Sequence, residues 1–275
     1  MDRLRFRSLA SGSSGNCYFL GNASYGILID AGVGVRNTRK FLKTMGLDYY
    51  NIWGIFVTHD HADHIKAVGA IGEKFNVPVY TTREIHEGIN RNYCVTQKLF
   101  SSQRFIQVGE ETVIGDFRIT AFPVSHDATD SVGYSVEYRG TTFTFATDLG
   151  YVSDHAAQYL VNSDCLVLEA NYDEYMLENG PYPLVLQTRI KSDTGHLCNM
   201  QTAAFLAGNY TERWKYVFLC HLSKENNLPE LAYSTITEHL KVQMITFEGI
   251  TEIVPLERTE PSRMYIFDLI TTVSS

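Results

Sequence analysis

Three histidines and two aspartates lie within residues 59–64, and imidazole and carboxylate are the ligands that Zn²⁺ and similar divalent metals prefer. On an extended segment alternate side chains face the same way, so His59 and His61 can bind one ion together. Asp63 and His64 follow at the start of a segment with helical apolar spacing. A polar helix cap with solvated histidines is the alternative, but the whole chain has only nine histidines. The cluster therefore predicts two ligand pairs for two adjacent metal ions.

Three further residues of these types stand just past short apolar runs, as His59 stands after Ile55–Val57; they are His126, Asp148 and His221. Short apolar runs bounded by turn residues are typical of buried strands, so the ends of these strands can converge on one site. Taken alone, each would be an ordinary loop residue. Next to the first cluster, we interpret all three as further metal ligands.

The apolar pattern that must position these residues alternates between strands and helices. Residues 105–147 have short apolar runs separated by turn signals, which predicts a meander of strands. A helix is predicted to begin near Ala62 and to continue through residues 65–71. Val77–Tyr80 is predicted to be an edge strand, because proline cannot donate to a central ladder. No linker or low-complexity tract is visible, so we interpret residues 1–275 as one domain.

The composition is that of an ordinary globular protein, with 44% apolar and 20% charged residues. A formal charge of −8 argues against a broad nucleic-acid-binding face, although two divalent ions would make the site locally positive. No apolar run approaches the roughly 20 residues of a membrane span, and the charged N-terminus lacks the apolar segment of a secretory signal. The five cysteines include no Cys-x-x-Cys pair, which is typical of reduced thiols. We therefore expect a cytoplasmic protein with no membrane partner.

The pattern His-x-His-x-Asp-His after an apolar strand resembles the metallo-β-lactamase superfamily of binuclear hydrolases. The resemblance implies an α/β (α+β) fold, namely an αββα four-layer sandwich of two mixed sheets flanked by helices, with the metals at one edge. It also implies that Asp30, at the end of the strand Ile27–Ile29, supports the loop that carries residues 59–64, the metal loop, without binding a metal itself. The implied ligands are His59, His61 and His126 on one ion, Asp63, His64 and His221 on the other, and Asp148 bridging both.

The type of the bridging residue separates the branches of this superfamily. Its β-lactam-cleaving members typically have cysteine there, and its redox di-iron branch has glutamate in place of the second histidine, which is His61 here. Asp148 is a hard oxygen ligand that suits a symmetric metal pair. Such pairs lie ~3.5–4 Å apart and share a hydroxide whose pKa they lower toward ~7. The resemblance therefore implies hydrolysis with two Zn²⁺ or Mn²⁺ ions, and Fe²⁺ accepts the same ligands.

Two more segments carry polar residues that complete no metal site: Leu-Glu-Ala-Asn-Tyr-Asp at residues 168–173 and Gly-His-Leu-Cys-Asn at residues 195–199. With Ser-Gly-Ser-Ser-Gly-Asn at residues 11–16, they resemble the YycJ/VicX/WalJ family over most of the chain. The resemblance implies 5′–3′ exonuclease action on DNA ends, in which Glu169 orients His196 and His196 protonates the leaving oxygen near neutral pH. Asp63 is assigned a catalytic role as well as metal binding.

Residues near these motifs are candidates for substrate contact. Backbone N–H groups of residues 11–16 could hold an anion, which makes Ser13, Ser14 and Asn16 candidates; a plain turn between two strands is the alternative. Asn199 is a further candidate and is predicted to cap the helix that follows it, although Cys198 replaces the serine of the family pattern. Residues 90–102 are weakly periodic and are predicted to form a loop near the rim of the site. Three cations in or next to this segment are interpreted as solvated, with phosphate contact as the alternative; they are Arg91, Lys98 and Arg104.

Two other classes of function compete with a nuclease. A small-molecule hydrolase, either a cyclic phosphodiesterase or a glyoxalase II-like thioesterase, would use the same metals. His196 argues against the thioesterase, because a thiolate leaves without a proton donor. A non-enzymatic regulator would be favoured by a missing ligand, and none is missing. We interpret the chain as a metal-dependent phosphodiesterase that acts on nucleic-acid ends.

Overall fold

Two seven-stranded sheets make up the centre of the molecule in the computed structural model, which describes residues 3–243 and 252–268. The strands of the first sheet, in spatial order, are β14 (Tyr265–Phe267), β1 (Leu4–Ala10), β2 (Cys17–Gly21), β3 (Gly26–Ile29), β4 (Ile52–Phe56), β5 (Val79–Thr81) and β6 (Gln103–Phe105). The three strands at one side are antiparallel, and the four strands from β3 to β6 run parallel, so their carboxyl ends share one edge.

The second sheet is also mixed. In spatial order its strands are β13 (Glu252–Pro255), β12 (Tyr216–Cys220), β11 (Cys165–Glu169), β10 (Thr141–Ala146), β9 (Val132–Tyr138), β8 (Phe117–Pro123) and β7 (Glu111–Ile114). The strands β7 to β10 form an antiparallel meander, which confirms the prediction for that part of the chain, and β10 to β13 run parallel.

Aromatic side chains hold the two sheets together. The ring of Phe6 on β1 lies 4.6 Å from that of Phe218 on β12 and 5.4 Å from that of Phe143 on β10, measured between centroids. Tyr18 on β2 and Phe145 on β10 lie 5.9 Å apart across the same interface. All five rings are fully buried, and tilted aromatic pairs at this spacing are favourable beyond their burial. The packing fixes the sheets so that their ligand-bearing edges face one side of the molecule.

Helices cover the outer faces of both sheets. Leu42 and Ile85 belong to the buried cluster of the first sheet, and Leu206 and Ile236 pack on the second. The predicted αββα four-layer arrangement is therefore confirmed. Within the described residues, no helix has the length and apolar character to cross a membrane. The helices are α1 (Val35–Thr44), α2 (Ala62–Ile65), α3 (Val68–Phe75), α4 (Arg83–Arg91), α5 (Asp154–Val161), α6 (Glu174–Asn179), α7 (Leu184–Ile190), α8 (Asn199–Gly208) and α9 (Pro229–Val242).

A strand is present in the region predicted at Val77–Tyr80, but the prediction that it lies at the edge of a sheet is wrong. The strand β5 begins at Val79 and pairs with β4 on one side and β6 on the other. Pro78 lies just before the strand, where only its carbonyl is used, and that oxygen accepts a hydrogen bond from the Ile55 N–H at 2.9 Å. The missing N–H of proline therefore removes no bond from the ladder.

The helix predicted from Ala62 through residues 65–71 is interrupted at residues 66–67, between α2 and α3. In a continuous helix the Ala67 N–H would bond to the Asp63 carbonyl. Instead the Ala67 N–H donates to the Ala31 carbonyl at 2.9 Å, and the Asp63 carbonyl accepts from the Asn16 N–H at 2.7 Å. These two bonds tie α2 to the ends of β2 and β3. Because of the interruption, α2 is a separate short helix, and its Asp63 and His64 lie at the site.

Candidate metal centre and its supporting residues

The loops after several parallel strands meet at one edge of the paired sheets. Three residues there, Asp30, Asp148 and His221, have positive φ angles of 58°, 43° and 54°. A left-handed backbone costs a residue other than glycine of the order of 1–3 kcal/mol and persists where the surrounding structure fixes it. Each of these residues lies just past a strand end, so the strained turn decides where its side chain points. Such strain is common at functional sites.

The first group of candidate ligands is His59, His61 and His126, which offer nitrogen atoms within 4.8 Å of one another. His61 Nε2–H donates to the Asp127 carbonyl at 3.2 Å, and His126 Nδ1–H donates to the Gly195 carbonyl at 3.0 Å. The remaining nitrogens, His61 Nδ1 and His126 Nε2, then face each other with lone pairs at 3.2 Å. Two lone pairs at this distance repel each other unless a cation or a proton lies between them.

The second group is Asp63, His64 and His221. His64 Nδ1–H donates to Asp30 Oδ2 at 2.7 Å, and His221 Nδ1–H donates to Glu169 Oε1 at 2.9 Å. When both rings are neutral, their Nε2 atoms carry the lone pairs, and each Nε2 lies 3.4 Å from Asp63 Oδ2. Metal-bound histidines usually donate their other ring N–H to a carboxylate or carbonyl in this way.

Asp148 lies between the two groups. Its Oδ2 is 3.2 Å from His64 Nε2, and its Oδ1 is 3.8 Å from His126 Nε2. Among the described residues, Asp148 Oδ2 and His59 Nε2 are both buried without a hydrogen-bond partner. Buried polar atoms without a partner are rare in proteins and call for an ion or water. The donor types, the facing lone pairs and these two atoms all fit a pair of divalent cations.

Electrostatics at the site follow from several buried carboxylates close to the rings. Burial holds the pKa of His59 well below its usual range, so this imidazole is neutral, as a metal ligand must be. Burial also lowers the pKa of His221, but the carboxylates of Asp148, Asp63 and Glu169 outweigh burial and raise this pKa to about 10. Protons on such rings balance the carboxylates in the metal-free chain. Divalent cations would replace those protons.

Asp30 occupies the supporting position that the sequence implies. Besides His64, its carboxylate accepts hydrogen bonds from the Thr58 N–H at 2.8 Å and from the Thr58 hydroxyl at 2.9 Å. Thr58 Oγ1 lies 3.0 Å from His59 Nδ1, so it can accept that ring proton while it donates to Asp30. Asp30 thus orients His64 of the second group directly and His59 of the first group through Thr58.

Glu169 is a fully buried carboxylate with four N–H donors. Its Oε1 accepts from His196 Nδ1 at 2.8 Å and from His221 Nδ1 at 2.9 Å. Its Oε2 accepts from the backbone N–H groups of Leu149 at 3.0 Å and Leu197 at 3.1 Å. Burial opposes the charge, but the imidazoles outweigh it and lower the pKa of Glu169 below its usual value. Glu169 therefore holds His196, as the sequence implies, and also a candidate ligand.

His196 lies beside the candidate ligands without belonging to either group. Its side chain is 13% exposed, and its Nδ1 is 3.8 Å from Asp148 Oδ1. Asp148, Glu169, His196 and His221 could by position form a further metal group. The Nδ1 atoms of both histidines, however, already donate to Glu169. This group is better described as a hydrogen-bond network, which leaves His196 Nε2 available.

Two residues that fix His221 were not predicted from the sequence. The Asn171 side-chain amide donates to the His221 carbonyl at 2.8 Å, and the Ser11 hydroxyl accepts from the His221 N–H at 2.9 Å. Both belong to motifs that the sequence analysis singled out, Glu-Ala-Asn and the serine- and glycine-rich turn. The motifs were the available signal, but only the fold shows that they meet at His221.

The candidate substrate contacts divide into three cases. Asn16 is fully buried, and its Nδ2 lies 3.1 Å from Asp63 Oδ2 and 2.9 Å from His64 Nε2, so it contacts candidate ligands. Ser13 and Ser14 are exposed on the turn, and their role stays a prediction.

Asn199 does not face the site. It is buried, and its side-chain amide exchanges two hydrogen bonds with the amide of Asn227, at 3.0 and 2.8 Å. This pairing uses the groups that a substrate would need, so the placement corrects the predicted substrate contact. Asn199 is also the first residue of α8 rather than its cap.

The cap of α8 is Cys198. Its Sγ accepts from the Gln201 N–H at 3.3 Å, and the Gln201 side chain accepts from the Cys198 N–H at 2.8 Å. This is a capping box in which a thiol stands where serine or threonine is usual. The sulfur also packs in a small buried cluster with Tyr172 and Leu177.

Replacing Cys198 with alanine is expected to lower the free energy of unfolding by about 1 kcal/mol, because the Gln201 N–H loses its acceptor. Cys198→Ser keeps an acceptor and is expected to cause no loss. Urea denaturation of the three proteins measures the difference. Equal destabilisation by serine and alanine would mean that apolar packing of the sulfur, rather than capping, is the contribution of Cys198.

Comparison with known proteins agrees with this geometry. A family model described as the beta-lactamase superfamily domain matches residues 25–217. The chain is 34% identical over 259 residues to the exodeoxyribonuclease YycJ of Bacillus anthracis, covering 94% of this chain and 96% of that protein. It is 36% identical over 237 residues to the exodeoxyribonuclease WalJ of Streptococcus pneumoniae, covering 86% of this chain and 88% of that one.

Solved structures with the same fold are more distant in sequence. The metallo-β-lactamase fold protein YhfI of Bacillus subtilis superposes with a TM-score of 0.70 at 15% identity, covering 96% of this chain and 100% of that one. Zn²⁺-bound PqqB of Methylobacterium extorquens superposes with a TM-score of 0.68 at 13% identity, with the same coverage. These likenesses concern the fold, whereas the family model and the closer relatives give the family. The chain belongs to the metallo-β-lactamase superfamily and, within it, to the YycJ/WalJ family.

Proposed function

We propose that this protein is a metal-dependent phosphodiesterase that removes nucleotides from DNA ends in the 5′–3′ direction. The observation that carries the proposal is His196, held by the buried Glu169 next to two groups of metal-type ligands. The names of the YycJ and WalJ relatives, both exodeoxyribonucleases, support the nuclease class and DNA as the substrate.

Seven side chains would hold two divalent ions, Zn²⁺ or Mn²⁺ being the metals that suit them. When bound, such a pair supplies an activated water and neutralises the charge of a phosphate. The protein itself contributes fixed ring orientations, through the carbonyls of Asp127 and Gly195 and the carboxylates of Asp30 and Glu169. The proposed ligands are His59, His61, Asp63, His64, His126, Asp148 and His221.

His196 is proposed to protonate the leaving oxygen. Glu169 accepts a hydrogen bond from its Nδ1–H, so the proton to be donated is the one on Nε2. An alkyl phosphodiester releases an alkoxide, which needs such a proton, whereas a thioester does not. This difference favours a phosphodiester over the thioester of the competing hypothesis.

A substrate panel tests the proposed class. With Mn²⁺ or Zn²⁺ the protein is expected to cleave bis(p-nitrophenyl) phosphate and DNA, and to leave nitrocefin and S-lactoylglutathione nearly untouched. The bridging candidate is Asp148 rather than the cysteine of β-lactam-cleaving relatives. Rapid nitrocefin or thioester turnover together with inert phosphodiesters would contradict the proposal.

A further inference from the structure

Tyr93 projects from the rim of the metal loop with 91% of its side chain exposed. The residue before it, Asn92, is anchored to that loop, because its side-chain amide donates to the Asp60 carbonyl at 2.9 Å. Asp60 lies between His59 and His61, two of the candidate ligands. A large aromatic ring is thus held in solvent one residue away from a contact with the metal loop. Such a ring is available for stacking against a flat ligand.

The segment that carries this ring has an excess of positive charge, in a protein whose net charge is negative. Residues 82–105 carry four arginine or lysine residues and two glutamates, in a chain of formal charge −8. Burial raises the pKa of the Cys94 thiol, Lys98 and Lys66 lower it, and Asp63 raises it, so two lysines and one carboxylate lie close to the residue next to Tyr93. Among the residues that the structure describes, neither lysine forms an ion pair, and Lys98 donates only to the Asn92 carbonyl, at 2.9 Å.

A cleft of about 460 Å³ lies near this rim, between α4 and residues 99–105. Phe100 and Phe105 line it and are 74% and 52% exposed. The guanidinium of Arg83 lies 4.7 Å from the centre of the Phe105 ring. Arg91 and Glu87, on the same helix, also line the cleft, and Arg91 Nη1 lies 3.7 Å from Glu87 Oε2. Exposed aromatic rings next to arginines are the combination that binds single-stranded nucleic acid.

The cleft is close to the metal loop because only α4 separates them. Gly88 on one side of α4 packs directly on the Asp60 side chain, where a Cβ would overlap the carboxylate. His86 and Asn90, two residues to either side, project from the opposite side of the helix and line the cleft. The separation is therefore roughly one helix diameter, about 10 Å. A strand held at the metal loop can reach the cleft within a few nucleotides.

We propose that Tyr93 and the cleft form a strand track, which binds the single strand of the DNA substrate beyond the nucleotide being cleaved. Tyr93, Phe100 and Phe105 stack on bases, and Lys66, Lys98 and Arg91 contact phosphates. The inference rests on the proposed function for the identity of the ligand. It reassigns Arg91 and Lys98, which sequence analysis interprets as solvated.

Binding of a fluorescent, phosphorothioate-linked single-stranded oligonucleotide to the metal-loaded protein tests the track by anisotropy. Tyr93→Ala is expected to raise the Kd by about 5- to 100-fold, because one base loses its stacking partner. Tyr93→Trp is expected to stay within about twofold of the wild type. Replacing Lys66 and Lys98 with glutamine is expected to make the salt dependence shallower, by roughly 0.7 in log–log slope for each phosphate that the lysines no longer neutralise.

Tyr50→Ala is the matched control. Tyr50 is 79% exposed but precedes β4, at the opposite end of that strand from the metal loop. If Tyr93→Ala binds as tightly as Tyr50→Ala and the wild type, the track is refuted. Equal losses on the oligonucleotide and on bis(p-nitrophenyl) phosphate would also refute it, because Tyr93 would then act on the metal loop. Binding that depends on Tyr93, in a protein that cleaves no natural DNA, would support the track and contradict the proposed nuclease.

Discussion

Replacing His196 with alanine is expected to lower the hydrolysis rate of an alkyl phosphodiester by about 10²–10⁴ and to leave the metal content unchanged. His196 belongs to neither group of candidate ligands, and its Nδ1 is engaged by Glu169. The loss comes from the missing proton for the leaving alkoxide. It should therefore shrink on a p-nitrophenyl ester, whose leaving group needs no proton. Steady-state rates on the two esters, with metal analysis of both proteins, measure the effect.

Glu169→Gln gives a different pattern, because the structure shows Glu169 Oε1 shared between His196 and His221. The substitution disturbs the orientation of an acid and of a candidate ligand together. A loss of about 10–100-fold in metal affinity should accompany the loss of rate. Metal loss from His196→Ala would instead make His196 a ligand. Equal losses on both esters with intact metals would make it a phosphate-binding residue.

Replacing Asp148 with asparagine is expected to lower the metal content below two ions per chain and to reduce activity by about 10³-fold or more. The carboxylate lies between the two ligand groups, with one oxygen 3.2 Å from His64 Nε2 and the other 3.8 Å from His126 Nε2. Its loss removes charge stabilisation of several kcal/mol, and each 1.36 kcal/mol is a factor of ten in rate. Metal analysis and rates at saturating metal give the two numbers.

Asp60→Asn is the control for Asp148→Asn. Asp60 belongs to the same histidine-rich loop, but its carboxylate accepts from the Thr129 N–H at 3.1 Å and from the Thr129 hydroxyl at 2.5 Å, away from the candidate ligands. Asp60→Asn should keep two ions. Two ions and normal activity in Asp148→Asn would rule out the bridging position.

Sequence alone gives the ligand candidates because ligand chemistry depends on residue type. His59, His126 and His221 each follow an apolar run, and such runs predict strands whose ends lie at the edge of a sheet. The partners that orient the rings are less visible. Two of them are the carbonyls of Asp127 and Gly195, and every residue has a carbonyl. No residue type therefore marks these positions.

The predicted boundaries of two helices are wrong for a similar reason. Asn199 is a good helix cap by type, yet the helix begins there, because Cys198 takes the capping position and Asn227 engages the Asn199 amide. The helix after Ala62 is interrupted because Asn16, distant in sequence, takes the Asp63 carbonyl. Both outcomes depend on tertiary contacts. The assignment of the chain to one domain and to the cytoplasm stays a prediction.

The proposed 5′–3′ exonuclease activity is tested by digestion of duplex DNA that is labelled at either the 5′ or the 3′ end. The protein is loaded with Mn²⁺ or Zn²⁺ beforehand. A 5′–3′ exonuclease releases the 5′ label as a mononucleotide from the earliest times and shortens the 3′-labelled strand progressively. Chelation should stop both reactions, and Asp148→Asn prepared in the same way should be inactive, which excludes a contaminating nuclease. We expect that result with two ions per chain. Intact DNA in the presence of two bound ions, or equal digestion by Asp148→Asn, would contradict it.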